Sequence, residues 1–313
     1  GSAWVNEGIL HESKARTNVC TYSNDFGNVA YLKWLPANIT VTPNSAISPD
    51  GTTNATKFDM ASNGFTRKLT GHVPTVGQTY TFSVWIKAGT ASEVNTVLLF
   101  SGGGLGYTSV TQTLTNEWQR FTVTSTLTLG TPDQVRVRFV ATQAGTIFVY
   151  GAQIEEGATP SSYIPTAGAT VTRAAETLTV PAANLPYDST NMSIQMDGKM
   201  TYADTNKASE VTPYFWRANS TNFIYSFLNT QNARTGELQF FQRQSTSGQD
   251  MVESAENAYS PDTNVPFNIA SRHGSTFING GREGTLLTAN TTPTILPNLS
   301  STNLLLASTF MGT

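Results

Sequence analysis

Apolar residues recur at every second position in segment after segment of this chain, and a period of two commits it to β-structure. Residues 79–87 place Tyr80, Phe82, Val84 and Ile86 on one face of a strand. Residues 118–124 place Phe121 and Val123 on one face, with Trp118, Arg120, Thr122 and Thr124 on the other. Residues 135–140 turn Val135, Val137 and Phe139 inward and Arg136 and Arg138 outward. Residues 147–154 begin apolar on both faces, the mark of a central strand. No window carries an i, i+3, i+4, i+7 stripe, so helix is limited to short turns, such as one near 90–95.

Breakers separate these runs: Pro49-Asp50-Gly51, Ser101 with Gly102-Gly103-Gly104, and Gly130-Thr131-Pro132. Residues 157–170 contain no alternating strand and read as an ordered crossing segment. A second series follows at 191–202, 213–217, 222–229, 236–244 and 266–278. Thr276–Ile278 and Arg282–Thr285 flank Asn279-Gly280-Gly281, which reads as a hairpin turn. The fold class is therefore all-β: two antiparallel β-sandwich (jelly-roll) domains in series. Charged residues make up 12% of the chain against about 25% in ordinary soluble domains, which fits Thr/Ser/Asn-rich strands and not solvated helices.

Several function classes drop out. Lys and Arg number 18 and Asp and Glu 21, so net charge is 18 − 21 = −3, and phosphate neutralisation is not the main task; no nucleic-acid partner is expected. Cys20 stands alone, which excludes an internal disulfide and cysteine-rich zinc sites. His11, His72 and His273 are far apart in sequence and in no metal-ligand spacing. No apolar run approaches the about 20 residues of a membrane helix, so no membrane insertion is expected.

Particular stretches resemble known modules. Glu7-Gly8-Ile9-Leu10, Ala15-Arg16-Thr17-Asn18 and Tyr22–Phe26 open the pattern. Ser48–Thr52, Gly77–Ala88, Val149–Gly157, Ser162–Thr166 and Val171–Ala174 continue it. Together they are similar to a carbohydrate-binding-module-like jelly roll of phage and prophage tail and adhesion proteins. Phe267–Ala270 followed by Phe277–Gly280 resembles a strand and hairpin of the laminin-G/concanavalin-A-like sandwich. The resemblance implies a connector at 1–17, a jelly roll at 18–166, a linker at 167–176 and a laminin-G-like sandwich at 177–313. That family has a further strand beyond the position of Gly312-Thr313, so the second sandwich is expected to be incomplete at its C-terminus, finished by a partner chain or by further residues.

The function so implied is a virion-associated adhesion module on a tail fibre, baseplate appendage or capsid spike. It would bind host cell-surface polysaccharide without catalysis, acting outside the cell as part of the virion. Its expected partners are that polysaccharide and other virion proteins, with a homotrimer implied by analogy with fibres. The alternative is a purely structural module docking to other virion proteins.

The glycan candidates follow from strand parity. Rings stack on the apolar faces of sugars, and Arg, Lys and amide side chains read hydroxyls and acids. Parity turns Trp85 and Lys87 away from the core of their strand, and likewise Trp118, Arg120, Arg136 and Arg138. If these strands share one sheet, they form an aromatic groove with a guanidinium cluster suited to acidic polysaccharide; Gln153 could face the same groove. The competing reading has Trp85 and Trp118 packed under a loop, the arginines paired with acids, and Gln153 as a buried amide. Trp216, in Tyr214-Phe215-Trp216-Arg217, is read as core or inter-domain packing, and Arg272-His273 as a solvated strand end before a hairpin. The resemblance also implies a structural Ca²⁺, with Asp25, Asp50 and Glu155 as ligand candidates; Asp50 reads equally as a turn residue.

Overall fold

The computed structural model describes residues 9–27, 34–101, 107–203, 211–245 and 248–308. Expectations that fall on Gly102–Gly104, on residues 1–8 of the connector and on the chain end at Gly312-Thr313 lie outside the described residues. The chain is all-β and antiparallel, and divides into two compact units at Lys14/Ala15 and at Ala174/Ala175.

The first unit, Ala15–Ala174, extends past 18–166 at both ends. It comprises β1 (Arg16–Asn18), β2 (Trp34–Ala46), β3 (Ala55–Leu69), β4 (Thr79–Ala88), β5 (Glu93–Ser101), β6 (Tyr107–Thr113), β7 (Gln119–Thr126), β8 (Gln134–Val140), β9 (Gly145–Glu156) and β10 (Val171–Arg173). The long strand β3 changes partner midway. Residues 56–60 pair with β9 and residues 65–69 pair with β8. β2 follows it around the bend with a register break between Ala37 and Ile39. Two layers result. The first runs β6, β5, β8 and the second half of β3, with the start of β2 at its edge. The second runs the end of β2, the first half of β3, β9, β4 and β7.

The alternating residues meet between these layers. Tyr80, Phe82, Val84 and Ile86 from β4 and Val135, Val137 and Phe139 from β8 are all buried. Phe139 packs edge-on against Phe58 and Phe82, and Phe26 tilts against Trp34 at 4.8 Å. Lys68 is also buried, its ammonium donating to Thr21 Oγ1 at 3.0 Å. The expected helical turn near 90–95 is absent. The amides of Gly89, Thr90 and Ala91 converge on the carbonyl of Thr146, and β5 starts at Glu93.

The second unit contains β11 (Leu178–Val180), β12 (Asn191–Tyr202), β13 (Val211–Asn219), β14 (Asn222–Asn229), β15 (Glu237–Gln244), β16 (Asp250–Glu253), β17 (Asp262–Gly274), β18 (Ile278–Arg282), β19 (Thr285–Leu286) and β20 (Leu304–Ser308). A six-stranded sheet, β11-β20-β13-β14-β15-β16, faces a four-stranded one, β12-β17-β18-β19. Short 3₁₀ turns occur at Ala182–Asn184 and Asn232–Arg234. Tyr214 and Trp216 point into the core with Ile224, Leu228 and Phe240, and the Trp216 indole donates to Thr302 O at 2.9 Å. Phe215 points the other way, as parity requires, and joins Phe223, Tyr225, Phe227 and Phe241.

Two readings in this unit are corrected. Asn279-Gly280-Gly281 is not a turn; it lies within β18 and pairs with Ala270–Arg272. Gly280 is there because the Phe240 ring occupies the space a Cβ would need. The tight turn is Glu283-Gly284, whose φ values of 47° and 74° supply the positive pair a two-residue hairpin demands. His273 is no solvated strand end either. It is fully buried beside Tyr214, while Arg272 lies over the Phe277 ring at 4.4 Å.

Candidate functional site

The residues proposed as one groove divide between the two outer faces of the first unit. On the outer face of the second layer, β4 and β9 bring Trp85 and Tyr150 together, and Tyr163 from the crossing segment closes the group. The rings meet at interplanar angles of 57–78°, so they form a packed knot and not a coplanar platform. The Arg120 guanidinium lies 4.4 Å from the Trp85 ring centre, and donates to Ser161 O and Ser83 Oγ. Gly151, at φ 64°, is held 3.1 Å from the same indole measured from where a Cβ would stand; the bulge there needs glycine.

The chain's own crossing segment covers the rest of this face. Gln153 is completely buried. Its amide donates to Glu155 Oε1 and Ser162 O and accepts from the Ile164 amide at 2.7 Å. Glu155, equally buried, accepts from the Ser161 amide, and Arg16 approaches its other oxygen at 3.8 Å. Asn18 clamps the layer from the other end, donating to Ala152 O and Ile164 O and accepting from the amides of Cys20 and Ile154. Arg16 also donates to Glu156 O and fills the space beside Gly157. The Gly151–Gly157 and Tyr163–Thr166 stretches thus act as a buckle. Gln153 is a satisfied buried amide and Arg120 an anchor, which corrects the open groove. Trp118 is half-buried with its indole donating to Ile47 O, and Lys87 is half-buried opposite Phe148.

The Ca²⁺ candidates do not fit a cation. Asp50 accepts from Ser48 Oγ, from the Thr52 amide and hydroxyl, from Asn54 Nδ2 and from Tyr150 OH. These donors, Ser48 foremost, hold its carboxyl well below the usual carboxylate range. Glu155 accepts two N–H bonds on Oε1, its buried Oε2 has the Arg16 guanidinium at 3.8 Å, and Asp25 is exposed. Among the described residues no three His, Cys, Asp or Glu side chains come together as a metal group.

Arg136 and Arg138 sit on the opposite layer. There β8 pairs with β3 and β5, so register aligns outward residues across five strands. One row reads Leu35, Arg67, Arg138, Val97, Ser109; the next reads Leu69, Arg136, Leu99, Tyr107. Strands about 4.8 Å apart make the five-strand row about 19 Å long. Arg67 and Arg138 stand directly opposite each other, an arrangement that opposes stability. Arg138 lies 6.0 Å over the Phe65 ring, and Arg136 has Asp133 at 3.8 Å. Among the described residues neither Arg67 nor Arg138 has an ion-pair partner. Tyr107, at the row's end, is 69% exposed. Arg67 and Tyr107 escaped the sequence reading. The alternation misleads at the first, because Phe65 and Leu69 share the outward face with Arg67 while Thr66 and Lys68 are buried; nothing local marks the second.

In the second unit Tyr225, Phe227 and Phe241 stack nearly parallel, with centroids 4.6–5.7 Å apart. Their exposures of 5–7% leave no ring face for a ligand.

No family model matches the chain, and no curated protein matches it. Solved structures similar to parts of it include the enzymatically active domain of bacteriophage CBA120 tailspike protein 4, at 12% identity and TM-score 0.37, covering 44% of this chain and 21% of that one. The tandem CBM22-1–CBM22-2 domain of Paenibacillus barcinonensis Xyn10C matches at 10% identity and TM-score 0.35, covering 96% and 97%. Domains LG4-5 of the mouse laminin α1 chain match at 11% identity and TM-score 0.28, covering 87% and 85%.

Proposed function

We propose that the chain is a non-catalytic glycan-binding module, carried on a phage tail fibre, baseplate appendage or capsid spike, that attaches the particle to host surface polysaccharide. The observation that carries this reading is the outer face of the β6-β5-β8-β3 layer. Its arginines Arg67, Arg136 and Arg138 face outward, only Arg136 has an acid near it among the described residues, and an exposed tyrosine, Tyr107, ends the Arg136 row. Asp50 and Glu155 of the first unit are engaged in hydrogen bonds within the fold. Weak single sites suffice if several copies act together, as in a homotrimer. One observation favours the alternative of a purely structural docking module: Trp85 and Trp118 are both engaged by the fold. The test is a screen of the full chain, displayed multivalently, against host capsule, lipopolysaccharide and a broad glycan array. Retention on a glycan supports the adhesion module; no retention anywhere leaves the docking module as the account.

A further inference from the structure

We infer that the ligand of the β6-β5-β8-β3 face is an acidic polysaccharide, whose carboxylates or sulfates are paired by Arg67, Arg136 and Arg138; this rests on the glycan-binding reading. The three residues lie on two adjacent strands, with Arg67 and Arg138 in direct register and Arg136 two residues along β8 on the same face. Two like charges placed opposite each other weaken a sheet, and a third beside them adds to the repulsion. Such an arrangement is relieved by an anion. Among the described residues, side chains of the fold relieve it only at Arg136, through Asp133 at 3.8 Å. The Nε atoms of all three arginines are shielded from solvent and lack hydrogen-bond partners among the described residues. The stems are therefore held down on the sheet, with Phe65 beneath Arg138, and all three residues are half-buried rather than closed off; the Arg136 side chain is 23% exposed. A planar, fixed fork is the geometry that pairs with carboxylate and sulfate in two-point fashion.

The surroundings define the ligand further. Leu69, Leu99 and Tyr107 continue the Arg136 row across the layer, so apolar surface and a ring adjoin the charges. A sugar presents such an alternation of apolar ring face and charged substituent. Nucleic acid is the less favoured polyanion. Stable non-specific binders neutralise roughly 6–10 phosphates, whereas this face offers three arginines on a chain of net charge −3.

The experiment is affinity electrophoresis of the full chain through gels holding polygalacturonate, dextran sulfate, neutral dextran or duplex DNA. Wild type is run with Arg138→Gln, Arg67→Gln and Arg138→Lys, each checked for an unchanged near-UV circular dichroism spectrum. We expect retardation by at least one acidic polysaccharide, weakened about tenfold or more by either Gln variant and by added salt. Arg138→Lys keeps the charge and loses the fork, so it should fall between. Should a variant fail to fold, masking wild-type arginines with phenylglyoxal must abolish retardation and bound polysaccharide must protect them. Retardation by neutral dextran or by array glycans alone, unaffected by the substitutions, would overturn this inference and leave the glycan-binding reading standing. Stronger retardation by DNA than by polygalacturonate and dextran sulfate would overturn the ligand class. No retardation in any gel, with a blank glycan screen, would overturn both.

Discussion

His273 should make the second unit acid-sensitive, by an amount the structure sets. The imidazole is fully buried, with Nε2 at 3.0 Å from Tyr214 OH, and that hydroxyl is 2.7 Å from Ser271 Oγ. Nδ1 is buried without a hydrogen-bond partner among the described residues. The neutral ring fits if Nε2–H donates to Tyr214 and Tyr214 donates to Ser271, because the atom left over is then an unfilled acceptor, less costly than an orphaned donor. Protonation would put an N–H and a charge where no acceptor exists. Burial accordingly pushes the pKa down to about 3 from 6.5. A basic group with a lowered folded pKa contributes stability above its unfolded pKa and loses it as pH falls toward the folded one. The loss is about 1.4 kcal/mol per unit of pH between the two values, hence about 3 kcal/mol from pH 7.5 to pH 4.5. The chain has two units, so the assay must read this one alone: urea unfolding followed by pulsed hydrogen exchange in peptides of β13 and β17. Wild type should lose about 3 kcal/mol more over that interval than His273→Gln, which cannot titrate. Equal pH slopes for the two proteins would refute the reasoning.

Three further outcomes follow from the same contacts. Gln153→Ala removes the amide that ties Glu155 to Ile164, and should cost the first unit about 3 kcal/mol, with faster hydrogen exchange at 161–166; unchanged exchange there would show that the buckle carries no weight. Gly280→Ala should destabilise more than Gly284→Ala, since the first meets the Phe240 ring and the second meets only its own positive φ, a penalty of about 1 kcal/mol; thermal melts rank them. The Cys20 thiol is buried and pushed up to about 12, chiefly by desolvation, so it should resist a disulfide reagent until the first unit unfolds.

Parity was legible along β4 and β8 but not along the second half of β3, where Thr66 and Lys68 are buried and Phe65 and Leu69 face outward; partnership between strands was not legible at all. Alternation placed Tyr80–Ile86 and Val135–Phe139 in the core and turned Trp85, Arg136 and Arg138 outward, as the structure does. It could not tell that Arg136 and Trp85 belong to different layers, because that depends on β3 crossing from one layer to the other at residues 61–64, a long-range fact. Nor could it tell that residues 157–166 lie over the Trp85 face, since that cover is held by single hydrogen bonds from Gln153, Glu155 and Arg120 and leaves no periodic trace. The Asn279-Gly280 misreading has a similar origin: glycine serves a turn and a close packing contact alike, and only the position of Phe240 separates the two.

The central claim, that the arginine face of the first unit holds a glycan, is tested most directly by hydroxyl-radical footprinting of the full chain with and without the acidic polysaccharide that retards it best. The account predicts ligand-dependent protection of Tyr107, Leu99, Leu69 and Phe65, with Trp85, Phe148 and Tyr163 unchanged. Protection of Trp85, Phe148 and Tyr163 with Tyr107 still oxidised would contradict it and return the site to the face that the crossing segment covers.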